Sequence, residues 1–594
     1  MRQRESRLKV CLLNPPGPVL KAGTRWSSKI KGASIDLRYY PFPVYLAYAA
    51  AVLREAGHEV AAWDAVALEW DDERTLASIR EFGPDLLAVE TSTTSFYSDL
   101  AFIKDLDVPK AAVGSHATGN ALTCLQEGYD YVVAGEYEMP LRDLVRYLSE
   151  GGELPAAAAS AKEPREPAAF WLEDLDCLPW PARDLLPIER YNEPVAGGRN
   201  IVLVSGRGCN LRCRFCTVPV FQGGSHWRAR DPVKVVDEIE HLLDEYAYDE
   251  LYFDDDNLTV RPAHVRALCR EIKKRGLKFR WGCMGDAFID TSVIAEMADV
   301  GCVLYKFGVE HNDRDVLRRI PKPIKETNVR SIIEECRRHG VRSHATFVVG
   351  LPGSSVEKDR AMVEYSLSLR PTTLQYSVYS PFPGTPAYEE AQREGWLVSK
   401  DWSKIDGAGR SIVSYPHYHW TQITKMNCYA WDRWGRHFLL TQPGTSWHHF
   451  RGVVRREGLK AAVSTSVRAA AKILRSALSK DTLPTASMRP SGQGVGIEVS
   501  GAADGTVNVA PGSNLLQALV AGKMPIWHHC GGAGRCATCA VEIVEGIANL
   551  SGPTAIEHDK LTVEELAAGV RLACQVNVNG NCGVRIFEGI GDGA

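Results

Sequence analysis

The sequence has 594 residues, of which 69 are Lys or Arg and 73 are Asp or Glu, giving a formal net charge of −4. The length predicts three or four domains, and the balanced charge offers no basic excess to support nucleic-acid binding. No run approaches the roughly 18 apolar residues of a membrane span, and the N-terminal MRQRESRLKV lacks an apolar signal core. Sixteen cysteines in such a chain indicate metal ligands, so composition predicts a cytoplasmic, metal-bearing protein.

Residues 1–150 alternate short β-branched runs with helical patterns. The predicted strands are KVCLLNPP, HEVAAWD, DLLAVETS, KAAVGSHATG and YDYVVAGE. Such runs separated by helices predict an α/β, doubly wound (Rossmann-like) domain with a parallel sheet, whose ligand site lies at the carboxyl ends of the strands. Residues 151–195 include LPAAAASAKEPREPAA and are predicted to be a linker that cannot bury a core.

Residues 196–400 repeat a strand followed by a helix six times. The predicted strands are NIVLVSG, ELYFDDD, FRWGCMG, VLYKFGVE, SHATFVVGLPG and LQYSVYSP. This repeat predicts a partial (β/α)6 barrel with its chemistry at the C-terminal strand ends.

Residues 401–480 are predicted to be a helical extension rich in Trp and His. Its aromatic side chains either shape an apolar substrate pocket or form a packing layer. Within it, LKAAVSTSVRAAAKILRSALSK predicts a basic amphipathic helix that either contacts a membrane surface or packs its apolar face on the protein. Residues 481–494 are a predicted linker, and residues 495–594 a compact final domain.

The loop GRGCNLRCRFCTVP follows the first predicted barrel strand and holds Cys209, Cys213 and Cys216. Three soft thiolates suit a 4Fe–4S cluster with one iron left open, although a partial zinc site or three incidental thiols are alternatives. This Cys-x3-Cys-x2-Cys loop resembles that of the radical S-adenosylmethionine (SAM) superfamily. The resemblance implies that the open iron chelates the amino and carboxylate groups of SAM, whose reductive cleavage releases a 5′-deoxyadenosyl radical.

The same resemblance assigns contacts with SAM to other strand ends, while sequence identifies no catalytic residue. The implied contacts are Phe215 beside the adenine, Asp255 and Asp256 at the amino group, Glu310 at the ribose hydroxyls, and Gly350 and Gly353 in VVGLPGSS. At the two glycines a missing side chain would let the backbone approach the ligand closely. The alternative role of the two aspartates is to cap the next helix.

The phrases LLNPPGP, PFPVYLAYAAAVLREAGHEV, VGSHAT and VVAGEYE resemble the cobalamin-binding domain of cobalamin-dependent radical SAM enzymes. LDCLPWPARDLLP resembles the bridge from that domain into the barrel, so the resemblance covers nearly all of residues 1–400. It implies that Thr91, Ser92, Thr93, Gly114 and Ser115 line the slot for the nucleotide tail of cobalamin. The alternative is a doubly wound fold that has lost its cofactor.

One departure from the wider cobalamin pattern concerns the cobalt ligand. Many cobalamin proteins carry D-x-H-x-x-G in the first loop, and its histidine ligates cobalt, whereas this chain has NPPGPVLKAG there. In family terms, the absence favours a four-coordinate, easily reduced cobalt. His116 is the tempting substitute ligand, but we expect it to be hydrogen-bonded or exposed.

In the final domain the cysteines follow the pattern Cys530-x5-Cys536-x2-Cys539-x34-Cys574. Plant-type 2Fe–2S ferredoxins use C-x4-C-x2-C with a distant fourth cysteine, and the five-residue first gap resembles their adrenodoxin-like and bacterial variants. A zinc ribbon is the alternative. Three glycines of the loop allow it to wrap a cluster with backbone amides facing the sulfurs; they are Gly531, Gly532 and Gly534. GIEVSGAADGTVNVAPGSNLLQALVAG predicts a hairpin followed by a helix, as in the β-grasp fold. Cys582 lies outside the spacing and is predicted to be structural.

Together the resemblances imply four cofactors: a 4Fe–4S cluster, SAM, cobalamin and a 2Fe–2S cluster. The leading hypothesis is a cobalamin-dependent radical SAM methyltransferase acting on an unactivated carbon of a small-molecule or natural-product substrate. Its ferredoxin domain would donate electrons and would itself be reduced by an external reductase.

Three other hypotheses remain. The first is a non-methylating cyclase or oxidative rearrangement enzyme with both cofactors, and the second is a redox carrier or regulator without SAM turnover. A methylthiotransferase for tRNA is disfavoured because the chain lacks a basic appended domain and cysteines suited to a second cubane cluster. The substrate itself is not specified by the sequence pattern.

Overall fold

The computed structural model describes residues 7–17, 19–22, 26–29, 40–193, 195, 199–221, 225–322, 326–405, 407, 409–441, 454, 463 and 494–590. The predicted linker 481–494 and the amphipathic helix predicted over 459–480 lie almost wholly outside these ranges. Within them, no helix is both long and apolar enough to cross a bilayer.

The first domain is built on one sheet covered by helices on both faces. Its elements are β1 (Lys9–Asn14), β2 (Val19–Ala22), β3 (Trp26–Lys29), α1 (Val44–Glu55), β4 (Glu59–Asp64), α2 (Asp72–Phe82), β5 (Leu86–Glu90), α3 (Phe96–Ile103), β6 (Lys110–Val113), α4 (Ser115–Gly119), α5 (Ala121–Glu127), β7 (Tyr131–Val133), α6 (Glu138–Glu150) and β8 (Ala158–Ser160). Strands β4-β1-β5-β6-β7 are parallel in that order. Successive residues of β1 enter opposite cores, as a sheet buried on both faces requires, so the doubly wound fold is confirmed.

The structure differs from the expected linker at β8. Ala158–Ser160 pairs antiparallel with Tyr131–Val133 and closes the edge of the sheet, and all three of its residues are buried. Ala158 and Ala159 belong to the cores on opposite faces of the sheet, so a stretch rich in Ala and Pro still contributes to the core. The domain boundaries proposed from the sequence otherwise stay predictions.

The second domain is a partial barrel of six parallel strands. Its elements are β9 (Asn200–Leu203), β10 (Gly206–Arg207), α7 (Val218–Phe221), β11 (Arg228–Ala229), α8 (Pro232–Glu245), β12 (Glu250–Phe253), α9 (Pro262–Arg275), β13 (Trp281–Gly285), α10 (Ser292–Asp299), β14 (Cys302–Glu310), α11 (Arg314–Arg319), α12 (Glu326–Arg338), β15 (Arg342–Val349), α13 (Val356–Leu369), β16 (Thr373–Val378), α14 (Pro386–Arg393) and α15 (Trp420–Thr441). The sheet runs β9-β12-β13-β14-β15-β16, one strand for each predicted repeat. Side-chain caps start several helices, for example Asp231 at α8 and Ser355 at α13.

The described part of the extension serves mainly as packing. Trp431 lies edge-on to Tyr376 of the barrel at 5.9 Å, and Trp420 is 3% exposed within the core of the final domain. Trp402 packs against Phe96 of the first domain at 5.7 Å. The extension therefore touches all three domains, as a packing layer would. Trp447, His448 and His449 lie outside the described residues.

The final domain is a mixed sheet with one helix packed on it. Its elements are β17 (Val495–Gly501), β18 (Gly505–Val509), β19 (Ser513–Asn514), α16 (Leu515–Ala521), β20 (Ala540–Glu545), α17 (Ala555–Lys560), α18 (Val563–Ala567), β21 (Val570–Leu572), β22 (Asn577–Val578) and β23 (Cys582–Ile586). The sheet order is β18-β17-β23-β20-β21. β17 and β18 form the predicted hairpin, and α16 follows, as in the expected β-grasp fold. Cys582 is buried in β23, away from the other cysteines' loop.

Buried ion pairs join the first domain to the barrel. Glu136 accepts two hydrogen bonds from Arg228, at 2.9 and 2.8 Å, and one at 2.7 Å from the backbone N–H of Leu172. Arg207 lies 2.7 Å from Glu138 and 3.7 Å from Glu136. Because the arginines outweigh the effect of burial, the pKa of Glu136 is lowered. All four charged side chains are at most 5% exposed. The junction therefore consists of desolvated charges, and removal of one would leave its partner uncompensated.

We expect Glu136→Gln to destabilise this junction by about 3 kcal/mol, because the substitution leaves buried arginine charge uncompensated. Thermal unfolding of the full chain, together with hydrogen exchange at β7 and β11, measures the loss. Glu390→Gln, which breaks an exposed pair with Arg214 at 3.0 Å, is the matched control and should cost under about 1 kcal/mol. Equal effects of the two substitutions would contradict a stabilising role of the network.

Candidate functional site

The predicted cluster loop lies at the C-terminal edge of the barrel sheet, immediately after β9 and β10. Cys209, Cys213 and Cys216 are close enough to affect one another electrostatically, and a turn joins the N–H of Cys216 to the carbonyl of Cys213 at 3.0 Å. Burial raises the pKa of all three thiols, that of Cys213 to about 11. Buried thiols of this kind become thiolates when they bind metal, so this donor set fits the 4Fe–4S cluster.

Two acidic residues after β12 anchor this loop. Asp255 accepts hydrogen bonds from the backbone N–H of Ser205 at 2.8 Å and from its hydroxyl at 2.7 Å. Asp256 accepts one at 2.8 Å from the N–H of Gly208, directly before Cys209. Their contacts in the structure are therefore with the end of β9 and the start of the cluster loop, and the SAM contacts predicted for them stay predictions.

Glu310 lies at the end of β14, facing the same loop. Its backbone is left-handed, with φ of 64°, and a bulge between β14 and β15 occurs at this position. A strained non-glycine conformation often marks a functional site. Glu310 forms an ion pair with Lys322 and acts electrostatically on Cys213, which places it beside the cluster loop; the contact with the ribose of SAM stays a prediction.

Two residues that sequence reasoning missed lie in the same place. Lys322 is buried; although burial lowers its pKa, Glu310 and Cys213 raise the pKa above the usual value. Asp286, after β13, accepts a 3.2 Å hydrogen bond from Asn257, and burial raises its pKa. The signal for Asp286 was its position after a barrel strand, in WGCMGD. Lys322 lies in the loop between α11 and α12, where no strand periodicity marks it.

The two glycines of the fifth-strand motif have left-handed backbones, with φ of 77° at Gly350 and 82° at Gly353. A Cβ on Gly350 would lie 2.5 Å from Ile423 of α15, and one on Gly353 would lie 2.7 Å from Arg319. Side chains of the protein, and not only a ligand, therefore exclude a Cβ at these two glycines. Phe215 is half-buried against the barrel core. The roles of these three residues toward SAM stay predictions.

The predicted cobalamin residues lie together at the carboxyl ends of β5 and β6. Thr91, Ser92 and Thr93 are buried, and Thr91 donates to Asp99 at 2.9 Å. Gly114 has φ of 96° and precedes α4, which begins at Ser115. α4 contacts α7, the short helix that follows Cys216. The edge that would hold cobalamin therefore adjoins the edge that would hold the cluster.

His116 is buried and hydrogen-bonded, which agrees with the first of the two alternatives expected for it and excludes the exposed one. Its ring lies 4.5 Å from that of Phe96 and 4.7 Å from that of Trp402. Nδ1 lies 3.3 Å from the hydroxyl of Thr93, while Nε2 is buried without a hydrogen-bond partner in the described structure. Burial lowers the pKa of His116 to about 3, so the imidazole is neutral. A neutral ring with an unused nitrogen at these strand ends fits a site for cobalamin.

The four cysteines of the final domain converge on one loop. The thiols of Cys530 and Cys536 are hydrogen-bonded, as are those of Cys539 and Cys574. The Cys536 thiol and backbone N–H groups of the loop lower the pKa of Cys530 to about 4. The glycines allow this turn of the chain, because Gly531, Gly532 and Gly534 all have φ between 64° and 85°. The donor set fits a 2Fe–2S cluster, whose ligands are four thiolates.

No three His, Cys, Asp or Glu side chains of the described residues are arranged to share a single metal ion. An iron–sulfur cluster does not need such a group, because each of its thiolates binds a different iron or shares one with a single other thiolate. All sixteen cysteines are free of disulfides, so both sets of thiols are available as ligands.

Models of three protein families match the chain. Residues 203–365 match the Radical SAM superfamily, residues 30–145 match the B12 binding domain, and residues 498–579 match the 2Fe-2S iron-sulfur cluster binding domain. The chain therefore contains these three domains in the expected order. The matches confirm the resemblances inferred from the sequence and the four cofactors that they imply.

Curated relatives span both candidate reactions. An uncharacterized methyltransferase of Pyrococcus horikoshii is 27% identical over 65% of this chain and 85% of that protein. Cytidylyl-2-hydroxyethylphosphonate methyltransferase of Streptomyces wedmorensis is 28% identical over 66% and 82%. Anaerobic magnesium-protoporphyrin IX monomethyl ester cyclase of Rubrivivax gelatinosus is 25% identical over 59% and 66%.

Two solved structures share the fold of most of the chain. The cobalamin-dependent SAM radical enzyme OxsB superposes with a TM-score of 0.58 at 13% identity, over 80% of each chain. The radical SAM methyltransferase TsrM of Kitasatospora setae superposes with a TM-score of 0.52 at 20% identity, over 66% of this chain and 76% of that one. At these identities the likeness establishes the fold.

We expect the two sets of cysteines to lose their clusters independently. In the reconstituted chain, Cys216→Ala should lack the 4Fe–4S electron paramagnetic resonance (EPR) signal and keep that of the 2Fe–2S cluster, and Cys536→Ala should show the reverse. Iron and sulfide content per chain provides a second measure. Cys283→Ala and Cys582→Ala, which change buried cysteines outside both loops, are the controls; loss of a cluster in either would contradict the assignment.

The pKa of His116 predicts an acid-sensitive first domain. Because its pKa is about 3 in the folded chain and about 6.5 when unfolded, protonation favours unfolding as the pH falls from 6.5 toward 3. Through His116, the native chain should lose about 2 kcal/mol of stability between pH 7 and pH 5. His116→Gln should lack this part of the loss. Hydrogen exchange of β5 and β6 measures this difference, with the exposed His226→Gln as control. An unchanged pH dependence in His116→Gln would contradict the prediction.

Proposed function

We propose that this chain, a radical SAM protein with a B12-binding domain before the barrel and a 2Fe–2S domain after it, is a cobalamin-dependent methyltransferase. Its substrate is a small molecule, and the methyl group is placed on an unactivated carbon. The observation that carries the proposal is the contact of α4 with α7. It brings the predicted cobalamin edge of the first domain against the cluster loop of the barrel.

When bound, one molecule of SAM on the cluster would supply a carbon radical, and a second molecule of SAM would supply the methyl group that cobalamin carries. The chain's own residues supply placement. Cys209, Cys213 and Cys216 would hold three irons and leave the fourth for SAM. Glu310 and Lys322 form a buried, neutralised pair beside this loop, which gives SAM both an acceptor and a donor without adding net charge.

The remaining contacts with the cofactors follow from position. Phe215, Asp256, Gly350 and Gly353 lie around the cluster loop and the fifth strand, where SAM would extend. Thr91, Ser92, Thr93, Gly114 and Ser115 would line the slot for cobalamin. Asp286 is buried directly after β13 and carries a raised pKa, which makes it a candidate contact for the substrate.

The junction between the two domains would also exclude water. Arg207, two residues before Cys209, is 2% exposed and stacks over Tyr45 and Tyr48 at 4.6 and 5.1 Å. These charged and aromatic side chains would close the junction between the first domain and the barrel. They would thereby exclude water from a radical formed there, which is a main role of the protein around such cofactors.

A non-methylating cyclase is the second candidate, favoured by the similarity to the Rubrivivax protein. It would use the same cofactors and the same loop. The two reactions differ in the fate of the methyl group of SAM, so product analysis separates them.

The test uses the full chain, reconstituted anaerobically with iron, sulfide, cobalamin and a strong reductant, and supplied with methyl-labelled SAM. Methyl transfer predicts both 5′-deoxyadenosine and S-adenosylhomocysteine, with label on cobalamin. 5′-Deoxyadenosine alone favours the cyclase. Neither product from a chain with intact clusters would contradict both and favour a redox carrier. Cys213→Ala is the control and should form no 5′-deoxyadenosine.

Two further parts of the proposal concern the surroundings of the enzyme. The final domain would receive electrons from an external reductase, since Gly531, Ala533 and Arg535 of its cysteine loop are exposed. Sixteen free cysteines suit a reducing compartment, so we place the enzyme in the cytoplasm.

A further inference from the structure

The final domain is fixed on the barrel extension by buried contacts. Arg410 and Glu565 form a bidentate pair at 2.7 Å, and Lys404 donates to the carbonyls of His558 and Asp559 at 2.9 and 2.5 Å. Trp420, at the start of α15, is part of the hydrophobic core of the final domain. Separation of the two would leave a charge of this desolvated pair uncompensated and would expose part of the shared core.

One face of α15 lies against the loop of the final domain that holds Cys530, Cys536 and Cys539, here called the cysteine loop. Lys425, Cys428 and Asp432 are spaced by three and four residues and share a side of the helix. Cys428 acts electrostatically on Cys536, and Asp432 lies 3.0 Å from His529, the residue before Cys530. The opposite face of the helix, with Met426 and Ala430, is buried in the barrel core.

Lys425 is the unusual member of this face. It is 2% exposed, and its ammonium donates to two backbone carbonyls of the final domain, those of Phe587 at 3.1 Å and Glu588 at 3.2 Å. No carboxylate among the described residues forms an ion pair with it. The Cys539 thiol acts electrostatically on Lys425, so the side chain lies near the cysteines of the final domain.

A buried charge without a counter-charge is costly. A cluster of ferric iron, sulfide and four thiolates carries net negative charge, and reduction adds one electron. Lys425 would be compensated by that cluster, and it would stabilise the reduced state more than the oxidised one. Charge near a cluster is one of the ways in which a protein sets its potential.

We propose that Lys425, a residue of the barrel extension, supplies a positive charge to the 2Fe–2S site and thereby raises the reduction potential of the docked cluster. The inference rests on the presence of the 2Fe–2S cluster and is independent of methyl transfer. It assigns α15 a role outside the barrel: the helix completes the electrostatic environment of a cofactor held by another domain.

The structure provides a matched control in Lys404. It is also a buried lysine of the same interface and also donates to two successive backbone carbonyls of the final domain. It differs in having Asp401 at 3.9 Å and in lying against α17 rather than the cysteine loop. Substitution of Lys404 therefore weakens docking without removing charge from the cluster.

The experiment is an EPR-monitored redox titration of the 2Fe–2S cluster in the reconstituted full chain, without SAM or substrate. Lys425→Gln keeps a donor for the two carbonyls and removes the charge. We expect it to make reduction at least tenfold less favourable, a shift of about 59 mV to lower potential for a one-electron couple. Lys425→Arg should retain the potential of the native chain, and Lys404→Gln should leave it unchanged.

Each other outcome has a defined meaning. An unchanged potential in Lys425→Gln overturns the proposal, as does an equal shift in Lys404→Gln, which would assign the effect to docking. If Lys425→Gln takes up no cluster while Lys425→Arg does, the need for a positive charge is supported. If both fail to take up a cluster, charge is not the determinant and the proposal is overturned. Because the titration omits SAM, none of these results depends on the proposed reaction.

Discussion

The arrangement of this protein depends on the buried ion pairs between the first domain and the barrel. Arg207 stands two residues before the first cysteine of the cluster loop, and its partners Glu136 and Glu138 belong to the other domain. These charges cannot separate without leaving one of them uncompensated in a desolvated site. The two sets of strand ends are consequently kept facing each other, and the placement proposed for cobalamin beside SAM relies on it.

Much of the architecture could be predicted because it is encoded locally. The alternation of strands and helices predicts both parallel sheets, and the spacing of the cysteines indicates two iron–sulfur sites before any tertiary contact is known. Glu310 belongs to the same class, since its position after a barrel strand fixes the edge on which it lies. In a parallel sheet, the residues that follow each strand all lie at the same edge, so the order of residues along the chain is enough to place them there.

The parts that could not be predicted arise from contacts between distant segments. GEYE and GRGC resemble family phrases, yet the pairing of Glu136 and Glu138 with Arg207 appears only when the domains meet. Gly350 is required by the approach of Ile423 from a helix some seventy residues later, which local spacing cannot indicate. β8 was missed because an edge strand made of alanine has no periodic signal and gains its place from the neighbouring strand.

The fixed docking of the final domain has a kinetic consequence. A ferredoxin that diffuses between partners delivers electrons at a rate that rises with its concentration, whereas a docked one delivers them by a first-order step within a single molecule. The cysteine loop here meets α15 on one side and solvent at Arg535 on the other. Electrons would then enter and leave the final domain on different sides, one at a time, and that domain would act as a relay that holds a single electron.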